Sequence, residues 1–294
     1  MMSRMSLWGA VLSVLLASAA APLCAQNVED VIGRYTGPNA DGYLQPVADV
    51  LGAALGSGWA RSADIQPGFH LVLSAIAAGT PISQDARTFL ATTDDFNPTT
   101  TIEAPTIFGS TEGASVSGAG GTVYRFAGGL DADYMGTLIP QLTIGTVAGT
   151  EAMVRWFSID VDEDFGSISQ LGFGVRHDID QYFDTLPIEL ALGGYWQKFD
   201  IGDVIAANTV TAMLYGSWSS SVFTLFGGLG YESSSSDISY TPEGQVTAVD
   251  VSLDGANSVR GTIGTKLQVW MLGVFADYTV ASQSAFTFGV EIGR

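Results

Sequence analysis

From Phe69 onward the chain alternates apolar residues with small or polar ones at a period of two. The pattern is clearest in the C-terminal half. In 187–199, Ile188, Leu190, Leu192 and Trp196 share one face, while Glu189, Ala191, Tyr195 and Gln197 share the other. The same contrast runs through 210–218, 222–231, 271–280 and the last segment, where Phe286, Phe288, Val290 and Ile292 oppose Thr287, Gly289, Glu291 and Gly293. Period two with one apolar face predicts β-strands. Further strands are predicted over 140–148, 151–159, 168–178 and 258–268, and the pattern extends to 69–79, 86–93 and 122–127.

Residues 26–67 follow a different rule. Val28 to Arg34 suits a short helical turn, and from Gly42 the residues Tyr43, Leu44, Val47, Val50, Leu51, Ala54 and Leu55 recur at helical spacing, with Gly56-Ser57-Gly58 ending the run. This segment is read either as a helix packed on the end of the strands or as a plug among them.

The connections add a second signal. Gly149-Thr150, Ser219–Ser221 and Gln268–Trp270 are tight, while Asp160–Ser167, Asp200–Asn208 and Glu232–Asn257 are longer and acidic. Short turns at one end and long loops at the other are the pattern of a transmembrane barrel. The 281–284 connection, short on the outer side, and the irregular stretch 94–121 break it. The fold expected is all-β: a transmembrane antiparallel up-and-down β-barrel of about 12 strands (roughly 10–14), with a short N-terminal helical segment. The organisation is a signal peptide over 1–25, a helical plug or cap over 26–67, and the barrel over 68–294.

The leader sets the compartment. Arg4, an uncharged run from Leu7 to Ala21, Pro22 and then Leu23-Cys24-Ala25 have the layout of a secretory signal. Leu23 before Cys24 suits lipoprotein processing poorly. Cleavage after Ala25 removes the sole cysteine and one basic residue, leaving 30 acidic residues against 10 basic ones. Such a chain forms no disulfide or thiolate site and binds no nucleic acid through bulk charge. Its environment is the bacterial outer membrane, and its expected partners are outer-membrane lipid, the barrel-assembly machinery and a small or hydrophobic solute.

Alternation alone does not say whether the apolar face meets lipid or a second sheet. The opposite faces are rich in Gly, Ser and Thr, and strand charges fall on them: Arg155, Arg176, Glu189, Arg260, Lys266, Asp277 and Glu291. These seven are expected to line the lumen, as a paired network that rigidifies a narrow barrel or as a polar path for a solute. Lys198 and His177 sit on the other face near strand ends, where a Lys can snorkel. Trp156, Trp196, Trp218, Trp270, Tyr231 and Tyr278 suit an aromatic girdle at the lipid headgroups.

Candidate chemistry is sparse. Asp160-x-Asp162-x-Asp164 resembles the start of a calcium loop, but Phe165 and Leu171 stand where that loop needs Gly and Glu. Two histidines, His70 and His177, do not make an ordinary zinc site. There is no Gly-x-Ser-x-Gly elbow, and Gly118-Ala119-Gly120-Gly121 lacks the third glycine of a dinucleotide fingerprint. No cofactor and no enzymatic activity are expected.

The blocks Gly42-Tyr43-Leu44-Gln45-Pro46, Leu51–Trp59, Pro67-Gly68-Phe69-His70, Ala104–Gly109 and Pro140–Arg155 resemble those of a bacterial family known only as a domain of unknown function. That resemblance implies an outer-membrane barrel with no assigned substrate. More distantly, the layout resembles the FadL-like long-chain fatty-acid transporter barrels, which carry an N-terminal plug; the chain departs from them in strand count and in Arg294 at its end. The functional expectation is a narrow channel or transporter for a small or hydrophobic solute, with a structural barrel presenting acidic loops as the alternative.

Overall fold

The computed structural model describes residues 35, 37–93, 99–118, 121–145, 148–162, 166–183, 186–241 and 249–293. The expected leader and the turn over Val28–Arg34 lie outside them. Among the described residues one α-helix, α1 (Pro38–Leu55), precedes fifteen strands: β1 (His70–Pro81), β2 (Thr88–Thr92), β3 (Thr101–Pro105), β4 (Ala114–Ser117), β5 (Val123–Phe126), β6 (Tyr134–Gly145), β7 (Thr150–Asp162), β8 (Gly166–Asp178), β9 (Glu189–Ile201), β10 (Ile205–Ser220), β11 (Phe223–Tyr240), β12 (Val249–Asp254), β13 (Val259–Val269), β14 (Leu272–Val280) and β15 (Ala285–Gly293).

Ten of these strands close a ring. Antiparallel pairing runs β1-β6-β7-β8-β9-β10-β11-β13-β14-β15, and β15 returns to β1 through Val72↔Gly293 to Gly79↔Phe286. Every strand of the ring has a neighbour on both sides, the condition for strands to stand in hydrocarbon. The outer face is apolar: Leu73, Phe173, Leu192, Leu214, Leu229, Ile263, Val274, Phe288 and Ile292 are all exposed there. In water these side chains would be a costly surface; against lipid tails they are matched. Trp156, Trp218, Trp270, Tyr231 and Tyr278 are exposed as well. Trp196 is half-buried and stacks on Phe173 with centroids 6.1 Å apart.

The strands over 86–93 and 122–127 are not ring members. They belong to two small hairpins, β2–β3 and β4–β5, inserted between β1 and β6. Their alternation is real, but at 5 and 4 residues β2 and β5 are too short to cross a bilayer, which takes about 9–11. All three stretches expected as longer loops are partly strand: β7 runs to Asp162 and β8 begins at Gly166. β9 and β10 run through Asp200 and Asn208 and meet at a tight turn over 202–204, and β11 continues from Glu232 to Tyr240. These extensions rise past the apolar belt at the end that carries the long insertions. At the opposite end Ser221 and Trp270 take positive φ, 55° and 56°, in two-residue hairpin turns.

One seam is incomplete. β6 and β7 pair only from Gln141↔Arg155 to Gly145↔Glu151, whereas β7 and β8 pair over nearly their full length. Pairing stops beside Pro140, which has no N–H to donate.

Inside the long-loop mouth, α1 buries Tyr43, Leu44, Val47, Val50 and Leu51 against Phe199, Ile201, Ile205, Ile238, Tyr240, Val251 and Leu253. Pro38 starts it at a position where a missing N–H costs nothing. Beyond Leu55 the chain passes down through the ring and leaves at the short-turn mouth, where β1 begins. Trp59, Ala60, Ala63 and Ile65 pack there against Met153, Ala191, Tyr195, Met213 and Tyr215 of the wall.

Candidate functional site

The site is the lumen and the chain threaded through it. Eight strands leave room for little beyond wall side chains. Ten strands admit one extra chain where the inward residues are small. Gly172 and Gly174 make that room: a Cβ at either would sit 3.1 or 3.2 Å from the Trp59 ring. Trp59 stacks on Tyr195 with centroids 4.8 Å apart.

Three arginines of the wall hold the threaded segment, two by its backbone and one by the Ser57 hydroxyl. Arg155 Nη1 donates to Leu55 O at 3.3 Å and Nη2 to Ser57 O at 3.0 Å, while Nε and Nη1 donate to Gln141 and Gln197 at 2.9 Å each. Its Cζ lies 3.6 Å from the Trp59 ring centroid. No carboxylate pairs with Arg155 among the described residues. Its partners are the carbonyls at the C-terminal end of α1, where the helix leaves orphan acceptors and partial negative charge. Arg260, one layer nearer the long-loop mouth, pairs with Glu232 and donates to Ser57 Oγ at 2.7 Å. Asn257 steadies Glu232 at 3.0 Å. Arg176, nearer the other mouth, pairs with Glu151 at 2.6 Å and donates to Ser62 O.

The remaining expected lumen residues also face inward. Glu189 accepts from Ser217 Oγ at 2.9 Å, and Ser217 Oγ in turn accepts from Ala63 N at 2.8 Å. Asp277 is buried and accepts from Thr287. Glu291 lies 3.1 Å from Lys266 Nζ and 3.4 Å from Arg61 Nε. Lys198 and His177 lie off the lumen: Lys198 pairs with Asp200 at 2.8 Å, and His177 joins Thr150 and Tyr182 at the short-turn end. Of the calcium candidates, Asp160 is exposed near the end of β7, while Asp164 and the side chain of Asp162 lie outside the described residues.

Sequence reasoning missed Glu151, Glu232, Arg61, Trp59, Gln141 and Gln197. Glu151 was within reach, since it shares the inward face of β7 with Arg155 four residues on. The segment's own Trp59 and Arg61 carried no periodic signal.

The segment leaves a cavity of about 340 Å³ at the short-turn mouth, lined by Arg61, His70, Glu151, Arg176, Lys266 and Glu291 among others. His70, the first residue of β1, sits with Nε2 2.9 Å from Glu151 and Nδ1 3.1 Å from Gly68 O. Its ring fits because residue 145 is glycine, where a Cβ would fall 1.8 Å from Cε1.

No curated protein matches this chain. Among solved structures it is similar to OmpT, an outer membrane protein of Vibrio cholerae, at 10% identity and a TM-score of 0.26, covering 79% of this chain and 100% of that one. It is similar to the translocator domain of the autotransporter NalP from Neisseria meningitidis at 10% identity and TM-score 0.29, over 78% and 88% of the two chains. The toluene transporter TbuX of Ralstonia pickettii gives 9% identity and TM-score 0.26, over 85% and 81%. At these scores nothing about function passes from them. The family profile is decisive where they are not: matching residues 2–294, it shows that the chain belongs to the family of unknown function DUF6588.

Proposed function

We propose that this protein is an outer-membrane channel closed at rest by its own N-terminal segment, with its short-turn mouth facing the periplasm, and that it admits a small solute when the segment shifts. The observation that carries the reading is the threaded chain from Leu55 to Ile65, held to the wall by Arg155, Arg260 and Arg176. The bonds that hold the segment are mostly hydrogen bonds to backbone carbonyls, each worth about 0.5–3 kcal/mol net. They are separable without unfolding the ring, whose backbone ladder is independent of them.

The second reading is a structural barrel. It is favoured by the completeness of the filling: Arg155, Arg260, Trp59 and Phe275 are fully buried across the lumen. Single-channel recording separates the two. The intact chain should show rare, brief openings, and a variant lacking residues 26–67 should conduct steadily. A variant that keeps the gel mobility of a folded barrel yet passes no current would support the scaffold instead.

A further inference from the structure

The short-turn mouth holds a buried cation, Arg61, whose sparse pairing the closed-channel reading leaves unexplained. Three cations, Arg61, Arg176 and Lys266, line its cavity with three carboxylates, the buried Glu151 and Glu291 and the exposed Asp64. Glu151 is committed to Arg176 and His70. Glu291 alone serves both Arg61 and Lys266. The Arg61 side chain is 7% exposed, and among the described residues its Nε and Nη2 have no hydrogen-bond partner. Its guanidinium instead lies over Phe275, 4.7 Å from the ring centroid. Buried guanidinium nitrogens without acceptors are costly, and a native fold keeps them where something offsets the cost.

We infer that this cavity is a binding site for a small oxyanion, a carboxylate or phosphate, held between Arg61 and Lys266. Arg61 supplies planar donors suited to two oxygens of one anion, and Lys266 supplies a point charge with donors to spare beyond Glu291. Glu291 holds the two cations in register. The cavity of about 340 Å³ limits the ligand to a small molecule or a single headgroup. The site stands whether or not the barrel conducts, because it is tested by binding and not by current.

The test uses the full chain folded in an uncharged detergent. Its unfolding midpoint is read from gel mobility as sodium phosphate replaces sodium chloride at constant ionic strength, and separately with short-chain phosphatidic acid. A saturable rise of about 3–6 °C at ten times Kd is expected. The rise should be lost in Lys266→Gln, whose side chain is partly exposed and whose loss spares the fold, and kept in Lys198→Gln on the outer face. A response to inorganic phosphate identifies a free anion as the occupant; a response to phosphatidic acid alone identifies a lipid headgroup. No saturable rise with either probe, or an equal rise in Lys266→Gln, overturns the site.

Discussion

Replacing Arg155 with Met should release the threaded segment without unfolding the barrel. The substitution keeps an apolar stem of similar reach and removes the guanidinium. Four acceptors lose their donor: the carbonyls of Leu55 and Ser57 and the side-chain oxygens of Gln141 and Gln197. Each buried orphan costs about 1–3 kcal/mol, and relief of a buried, carboxylate-free cation returns several kcal/mol. The cation–π contact with Trp59 is lost too, worth about 2 kcal/mol when desolvated. The balance is a loss of about 2–4 kcal/mol, which falls on the docked segment because two of the orphans lie on it. That shifts the population of undocked segment by about 30- to 800-fold. A reporter is available at Ala60, which is 3% exposed inside the ring. In a Cys24→Ser, Ala60→Cys background, a water-soluble thiol reagent should label the parent slowly and the Arg155→Met variant at least tenfold faster. Equal labelling rates, with both proteins showing folded-barrel mobility, would refute the view that Arg155 holds the segment.

Further expectations follow from the same geometry. Trp59→Ala empties the stack between Arg155 and Tyr195 and should cost about 3–5 kcal/mol, read as a lowered unfolding midpoint. Gly145→Ala should eject the His70 ring from Glu151 and lower the midpoint, whereas Gly194→Ala, with open space around its Cβ, should leave it unchanged. Leu214→Arg on the outer face of β10 should cost about 2–4 kcal/mol in lipid if that face meets hydrocarbon, and little if it meets water. Burial pushes the Asp49 carboxyl of α1 above its ordinary value, against the opposing hydrogen bonds from Gln45 and the Ala256 amide. Folding therefore favours the protonated acid, and stability falls as pH rises through the raised folded value. Asp49→Asn keeps an acceptor for both donors, so its midpoint should match the parent in acid and exceed it at neutral pH.

Much of the barrel was legible because lipid on one side and a filled lumen on the other impose opposite demands on alternate residues. Leu272, Val274 and Tyr278 against Gly273, Phe275 and Asp277 make that contrast plain. The signal fades where both faces leave the lipid. In the upper part of β11 the inward Ser234 and Ser236 alternate with outward Ser233, Ser235 and Asp237, so no hydropathy contrast marks the strand and the stretch reads as a loop. The two hairpins show the converse, since alternation reports a strand but not which sheet it joins. The threaded segment was the least legible part. Its contacts are fixed by wall residues roughly 80 to 230 positions away, and a stretch such as Trp59-Ala60-Arg61-Ser62-Ala63 has no period of its own. Gly172 and Gly174 of β8 were visible as small residues, but only the fold gives them the task of admitting Trp59.

The central claim, that the lumen is closed by its own segment, is tested most directly by tethering it. Ser62 Oγ lies 3.2 Å from Ser217 Oγ across the gap between segment and wall. A Ser62→Cys, Ser217→Cys pair should therefore cross-link on oxidation. The account predicts that the oxidised protein is silent in single-channel recording and that reduction restores its openings. Openings of equal frequency and size before and after reduction would contradict it.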